Sequence, residues 1–255
     1  MATVETQPLV SIIMPSYNAE QYIAESIRSV LAQTYMHWEL IITDDCSDDQ
    51  TPMIAQIFCD KDARIKFQVA QQHGGIAKTR NQSLMRAQGR FIAFLDNDDL
   101  WVPEKLEKQV AFMLKHDCPF SYSEYELLNE DGTPKGKTIK TAGVIDYHQY
   151  LRNTIIGSGT IMLDREKTGP LTMPDNATSD DMALWCKILK DGHRAYPINE
   201  VLMQYRVRNN SASANKLKAA KDVWKVYRKQ ERLSFLRALD CFISYAFNAI
   251  KKRVC

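Results

Sequence analysis

The sequence predicts an α/β fold on a mostly parallel central sheet, and three observations carry that expectation. Short apolar runs alternate with helix-period segments through the first half of the 255 residues, the pattern of strands wound by right-handed crossovers. One run, Phe91 to Leu95, is apolar at every position, as a strand covered on both faces requires. Polar and acidic residues follow the runs, so they would gather on one sheet edge, where ligands bind in such folds.

Leu9 to Met14 reads as the first strand, and Ile23, Ile27, Val30 and Leu31 fall on one face of the helix after it. Trp38 to Thr43 is the second strand and Thr51 to Cys59 the second helix. Ile65 to Ala70 is a third strand, followed by a helix from about Ile76 to Ala87. Beyond the fourth strand, Phe91 to Leu95, Pro103 is placed to open a helix at its first position. The second half is less regular. Asn129-Glu-Asp-Gly-Thr-Pro134 reads as a turn. Ile155 to Leu163 reads as a strand whose Gly157 and Gly159 would let it pass close to a ligand. Ser179 opens a helix through Leu189, ended by Gly192, and Val201 to Val207 is a late strand. From Lys216 the pattern is helical. Leu236, Leu239, Phe242, Ile243, Ala246, Phe247 and Ile250 recur at three- and four-residue spacing before Lys251-Lys252-Arg253. Arg237 and Asp240 interrupt the stripe. The helix is therefore amphipathic, suited either to an anionic membrane surface or to packing on the body.

Hydrophobic residues at 45% and charged residues at 25% describe an ordinary globular protein, long enough to bury a core without disulfides or structural metals. Six scattered cysteines without a Cys-x-x-Cys pair read as reduced thiols and give a cytoplasmic expectation. The N-terminal pattern is not that of a secretory signal, and no apolar run approaches the ~20 residues that span a bilayer. The net charge of +2 conceals an asymmetry: residues 216–255 carry 11 Lys and Arg against 3 Asp and Glu, the remainder 22 against 28. An acidic body with a basic tail predicts a cation site in one part and an anionic partner for the other.

The strand ends hold the chemistry. Pro15-Ser16-Tyr17-Asn18 follows the first strand, Asp44-Asp45 the second and Asp96-Asn97-Asp98-Asp99 the fourth. Asp96 and Asp98, two apart on an extended backbone, would project to the same side. Such hard oxygen ligands suit Mg²⁺ or Mn²⁺ bridging to substrate phosphates. Asp44 or Asp45 would accept hydrogen bonds from a base or ribose, and Tyr17 is placed to stack on a base. Ser47 with Gln50, and Asn18 with Gln21, have capping-box spacing. His73-Gly74-Gly75 precedes the helix carrying Lys78 and Arg80; glycines at a helix start beside cations cradle phosphate, with His73 at the rim. Asp180 and Asp181 suit the helix dipole. They also offer the base that an attacking hydroxyl needs, and burial or a neighbouring carboxylate would raise its pKa.

Taken together, Val10-Ser-Ile-Ile-Met-Pro-Ser-Tyr-Asn18, Ile41-Ile-Thr-Asp-Asp-Cys-Ser-Asp48, Gly74-Gly-Ile-Ala-Lys-Thr-Arg-Asn81 and Phe94-Leu-Asp-Asn-Asp-Asp99 resemble the family 2 glycosyltransferases, inverting enzymes of the GT-A fold. Asp180-Asp181, Trp185 and Tyr205-Arg206 extend the resemblance. Tyr205-Arg-Val-Arg-Asn-Asn-Ser211 and the basic helix after it resemble the teichuronic acid biosynthesis glycosyltransferases. The resemblance implies a GT-A domain over 1–215, with its nucleotide part at about 8–100 and its acceptor part at about 101–215, and basic amphipathic helices over 216–255. Pro15, Tyr17, Asn18 and Asp45 would line the base pocket, with Asp44 beside them. Lys78 or Arg80 would face the base or diphosphate. Asp96 would contact ribose and metal, with Asn97 next to it, and Asp98 would be the principal ligand of Mn²⁺ or Mg²⁺. Asp181 would be the base, with Asp180 as its competitor. Two positions depart from the family pattern. His73 stands where many members carry Asn, and Arg208 takes the His place of Tyr-Arg-x-His, a departure that would put a third protein metal ligand in doubt and offer Arg208 to the diphosphate instead.

The activity so implied is transfer, with inversion, from a nucleoside diphosphate-sugar, a UDP-sugar by resemblance, to a hydroxyl of a growing surface polysaccharide. The acceptor would be polyprenyl-linked, met at the inner membrane surface through the C-terminal helix; no nucleic acid partner is implied. A nucleotidyltransferase would use similar carboxylates, but it would carry a glycine-rich basic loop where Pro15-Ser-Tyr-Asn18 stands. A receiver-like signalling module would be about half as long and need a lysine after its last strand.

Overall fold

The computed structural model describes residues 7–174, 179–208 and 216–254, without the side chains of 216 and 250–254. Asn209, Asn210 and Ser211 of the Tyr205–Ser211 stretch, and the side chains of Ile250 and Lys251-Lys252-Arg253, lie outside the described residues.

Four strands form the parallel half. β1 (Val10–Ser16) lies between β2 (Trp38–Asp44) and β4 (Phe91–Phe94), and β3 (Ile65–Val69) pairs with β2. β1, β2 and β4 are buried at every position, which is why they read as apolar runs. Helices α1 (Ile23–Leu31), α2 (Thr51–Lys61) and α3 (Ile76–Arg86) are the crossovers. α1 buries Ile23, Ile27 and Val30, the face its spacing predicts.

The sheet as a whole is mixed, not mostly parallel. Among the described residues its order is β3-β2-β1-β4-β8-β6-β9-β5, with β7 on β6. β8 (Ile161–Asp164) runs antiparallel to β4 and to β6 (Phe120–Leu128). β9 (Ala195–Arg206) is parallel to β6 but antiparallel to β5 (Leu100–Trp101). The regular strand–helix alternation stops at β4, and a hairpin links the next long strands. β6 and β7 (Pro134–Ile139) are joined at the predicted turn, where Asn129 N–H donates to Thr133 O at 2.8 Å. A link that short permits only antiparallel pairing.

Two local expectations change. α4 (Lys105–His116) begins beyond Pro103, whose carbonyl instead accepts from Thr34 N–H at 2.9 Å. The Gly157–Gly159 stretch is not strand: Ser158–Thr160 forms a 3₁₀ turn before β8. A Cβ on Gly159 would lie 2.7 Å from Met203 Sδ, so this glycine admits a neighbouring side chain rather than a ligand.

α5 (Tyr147–Arg152), the short α6 (Arg165–Thr168), α7 (Asp180–Lys190), α8 (Lys216–Lys225) and α9 (Phe235–Val254) complete the molecule, with a π-helical turn at Val226–Gln230. Val223, Tyr227, Leu233 and Ala238 share one buried cluster with Ile13, Phe94, Phe120 and Trp185. The C-terminal helices thus help to build the core beneath the sheet. α9 buries Ala238 and Cys241 but exposes Leu236, Leu239, Ile243 and Phe247. No helix among the described residues is long and apolar enough to cross a membrane.

Candidate active site

The carboxyl ends of β1, β2 and β4 and the start of α7 open on one cavity of about 700 Å³, a size usual for small-ligand sites. Pro15, Tyr17 and Asn18 line it after β1 and Asp45 after β2. Asp96, Asn97 and Asp98 line it after β4, Arg80 from α3, and Asp180 and Asp181 from α7. Of the residues singled out in the sequence for donor, metal or base, Asp44 and Lys78 are not on its wall.

Asp44 is fully buried and holds the loop together. It accepts from Ser16 Oγ (3.0 Å), Ser47 N–H (2.8 Å) and Ser47 Oγ (2.6 Å). Ser47 is thereby drawn into a turn closed by an aspartate; α2 starts only at Thr51, and its cap residue Gln50 makes no side-chain capping bond. Asn18 is not a helix cap either. It sits at φ 45°, and its Oδ1 accepts from Asp48 N–H at 3.1 Å while its N–H donates to Ser47 Oγ at 2.9 Å. The loops after β1 and β2 are therefore tied to each other. Lys78 is exposed, because two residues along a helix turn about 200° and put it opposite Arg80.

Asp45 organises the next loop. Its two oxygens accept from Gly74 N–H (2.7 Å) and Gly75 N–H (2.8 Å), and Gly75 has the φ of 84° that glycine tolerates best. His73 Nδ1 lies 3.1 Å from Asp45 Oδ2, and the His73 ring is 4.8 Å from that of Tyr17. Tyr17 and His73 form an aromatic rim beside a carboxylate, a suitable seat for a base.

Arg80 is buried between two carboxylates. Its Nη2 meets Asp96 Oδ1 at 2.7 Å and its Nη1 meets Asp180 Oδ2 at 3.2 Å. Burial opposes its charge, but Asp96, Asp180 and Asp181 outweigh burial and raise its pKa. Asp181 is placed differently. One oxygen accepts from Met182 N–H at 2.7 Å. Burial first, and the Asp180 charge next, push its pKa up to about 6, against the pull of Arg80. A carboxylate so tuned can both hold and release a proton near neutral pH.

Asp96 and Asp98 come together across a turn, not along an extended strand: Asp99 N–H donates to Asp96 O at 3.2 Å. Asp98 Oδ2 pairs with Arg208 Nη1 at 2.9 Å. Burial and the charge of Asp96 push the Asp98 pKa up, while Arg208 pulls it down. Among the described residues no third carboxylate, His or Cys completes a metal cluster. Two hard oxygen ligands facing a cavity nevertheless fit Mg²⁺ or Mn²⁺, which such sites complete with substrate phosphate and water.

Gly157, expected from the sequence to pass close to a ligand, does line the cavity, together with Ser158, and their loop is pinned by Trp101 Nε1 to Gly159 O (2.9 Å) and Gln109 Nε2 to Thr160 O (3.1 Å). Other wall residues carried little sequence signal. Asp222 reaches the wall from α8, 4% exposed, with Lys225 Nζ at 3.1 Å. In the sequence that pair resembles any surface i,i+3 pair.

The family model for glycosyl transferase family 2 matches residues 11–171. A Bacillus subtilis (strain 168) glycosyltransferase named for teichuronic acid biosynthesis, TuaG, is 50% identical over 248 residues, covering 97% of this chain and 98% of its own. The Escherichia coli UDP-Glc:alpha-D-GlcNAc-diphosphoundecaprenol beta-1,3-glucosyltransferase WfgD is 43% identical over 219 residues, 86% of this chain and 85% of its own. Among solved structures, S. aureus TarS 1-349 in complex with UDP-GlcNAc superposes with a TM-score of 0.71 at 23% identity, over 86% of this chain and 64% of that one. The fold is accordingly of the GT-A type. With the sequence match covering most of the chain, this protein belongs to glycosyl transferase family 2.

Proposed function

We propose that the protein is an inverting glycosyltransferase that moves a sugar from a UDP-sugar to a hydroxyl of a lipid-linked saccharide in cell-surface polysaccharide synthesis. One observation carries the reading: Asp181 lies on the wall of the same cavity as Asp96, Asp98 and the Tyr17–Asp45 rim. A base and a nucleotide seat are thus within reach of one bound donor. The named activities of the two relatives support the choice of donor and acceptor classes.

Tyr17 and His73 would sandwich or edge the base, and Asp45 would hold the loop that carries His73. Asp96 and Asp98 would hold a divalent cation, Mn²⁺ or Mg²⁺, which supplies neutralisation of the charge gathering on the leaving diphosphate. Asp181 takes the proton from the acceptor hydroxyl as its oxygen bonds to the anomeric carbon. The bond from that carbon to the diphosphate oxygen breaks on the opposite side, so configuration inverts and the nucleoside diphosphate departs. Asp180, held by Arg80, raises the pKa of Asp181 and so strengthens it as the proton acceptor. The exposed apolar face of α9 would rest on the membrane that carries the acceptor.

The test is a panel of nucleotide-sugars, with and without Mn²⁺, for wild type and Asp98→Ala. Cation-dependent turnover of one UDP-sugar, lost in the variant, is expected. If no nucleotide-sugar binds with cation present, the donor assignment is wrong.

A further inference from the structure

Beside the main cavity lies a second, smaller one of about 60 Å³. The two share Asp96, Gly157, Ser158 and Tyr205 in their walls. Beyond that shared rim the smaller cavity is walled by Tyr125, Met203 and the Ser158–Thr160 turn. The turn is held at two carbonyls. Trp101 Nε1 donates to Gly159 O at 2.9 Å, while Lys105 Nζ and Gln109 Nε2 both donate to Thr160 O, at 3.3 and 3.1 Å. Lys105 and Gln109 are fully buried, so the wall is fixed before any ligand arrives, which lowers the cost of binding there.

One hydroxyl in this wall is unmatched. Ser158 is 9% exposed, and its Oγ has no hydrogen-bond partner among the described residues. Buried hydroxyls are nearly always bonded, so this one calls for a partner from outside the chain. It turns about a single torsion and can both donate and accept. Size and charge narrow that partner. An apolar cavity of about 150 Å³ takes the six carbons of benzene, so one of about 60 Å³ suits a group of roughly two heavy atoms. The Met203 thioether and the Tyr125 and Tyr205 rings fit a methylene, and Ser158 fits a hydroxyl. Among the described residues Asp96 and Asp99 lie on the wall but no Lys or Arg does. A carboxylate would be buried there without a cation, at high cost.

We propose that the side cavity is a donor-specificity subsite that seats the hydroxymethyl arm of a hexosyl group, with Ser158 as the arm's hydrogen-bond partner. The proposal rests on the UDP-sugar reading above. A diphosphate held at the Asp96–Asp98 turn carries its sugar as the next group, and the side cavity begins at Asp96. The subsite selects neutral hexoses against two kinds of sugar with the same ring. Pentoses lack the arm, and uronic acids carry a carboxylate in its place.

The experiment uses the full chain and calorimetry at saturating Mn²⁺, so no acceptor is needed. The probes are UDP, UDP-glucose and UDP-galactose, their arm-less counterparts UDP-xylose and UDP-L-arabinose, the two matching UDP-uronic acids, and UDP-GlcNAc. The better-bound hexose should exceed its pentose and its uronic acid at least roughly tenfold. Ser158→Ala should bring the hexose-to-pentose ratio down to about threefold or less, with UDP affinity within about twofold of wild type. Its melting temperature should not fall, because the Oγ has no protein partner to leave unpaired. Gly157→Ala probes the same space independently. A Cβ there would lie 3.6 Å from Thr160 Cγ2 and 3.8 Å from Tyr125 Cε1, ordinary contacts for the fold, and should weaken the hexose but not the pentose. An unmoved ratio in Ser158→Ala would mean that the serine holds only a water, and overturns the proposal. Equal losses for UDP, hexose and pentose would mark a structural serine and overturn it too. So would selection that follows a 2-acetamido group, UDP-GlcNAc over UDP-glucose, because the cavity would then seat another substituent. If wild type binds a pentose or uronic acid as well as the hexose, the subsite fails and the UDP-sugar reading stands. If wild type binds no nucleotide at all, both fail.

Discussion

Asp180 and Asp181 are neighbours on one helix, but only Asp180 is clasped by a guanidinium. Asp181→Asn should therefore abolish transfer, by at least ~10²-fold in kcat for loss of a general base, while UDP affinity stays within about twofold. In wild type, kcat should fall as pH drops through about 6, where Asp181 takes up its proton. Stability moves in the opposite direction. A carboxylate whose pKa is raised in the folded state weakens folding once ionised, so Asp181→Asn should exceed wild type at pH 8 by about 2–3 kcal/mol. The gap should close as pH falls toward the unfolded value near 4. Urea unfolding at pH 8 and 4.5 checks this, and equal stabilities at pH 8 would refute the buried-base reading. At this scale the sequence was partly legible. Strand-end position marked Asp45 and Asp44 alike; only the fold turns one toward Gly74 and Gly75 and the other under Ser16 and Ser47. Lys78 and Arg80 are separable by helical phase alone, because a shared face needs a spacing of three or four.

α9 shows what periodicity reveals about an element and what it omits. The spacing of Leu236, Leu239, Phe242, Ile243, Ala246, Phe247 and Ile250 predicts one apolar stripe; Leu236, Leu239, Ile243 and Phe247 of it are exposed, whereas Phe242 packs against the core beside Ala238 and Cys241, which are less conspicuous in the sequence. Removal of the whole helix would consequently confound membrane contact with folding. The cleaner variant replaces Leu236, Ile243 and Phe247 by Ser. Its melting temperature should stay within about 2 °C of wild type, since exposed apolar side chains contribute little to folding. Its partition onto vesicles with anionic lipid should drop at least tenfold, in line with ~0.8 kcal/mol per buried methylene. Unchanged partitioning would remove α9 from the membrane contact. The parallel strands were legible for the same reason of burial: β1, β2 and β4 are covered on both faces and so spell unbroken apolar runs. β6 is half-covered, carries Ser, Tyr and Glu, and shifts register against β9 between Ser123 and Tyr125, which blurs any simple period.

Across the whole molecule, one side chain joins the β4 turn to the start of α7. Arg80 rises from α3 in the parallel half, meets Asp96 at the β4 turn and Asp180 on α7, a partner 100 residues away in the chain. The Asp222 wall contributed by α8 makes the same point, that the cavity is closed by segments distant in sequence and without a local motif. Arg80→Met would leave the buried Asp180 and the part-buried Asp96 without their shared cation. Breaking such a buried pair costs about 3–5 kcal/mol, and denaturant unfolding should read a loss of that order. Arg80→Lys should lose less, because one ammonium keeps the charge but cannot span both carboxylates in the planar geometry of a guanidinium. The functional consequence has a definite sign. Arg80 lowers the pKa of Asp181, so weakening its field lets that pKa rise, and the acid limb of kcat should move from about 6 in wild type to higher pH in Arg80→Lys. A destabilised variant with an unmoved acid limb would mean that Arg80 braces the two halves without tuning the base. A limb that moves upward would mean that the residue anchoring Asp96 on the donor side also sets the pH at which the acceptor can be activated.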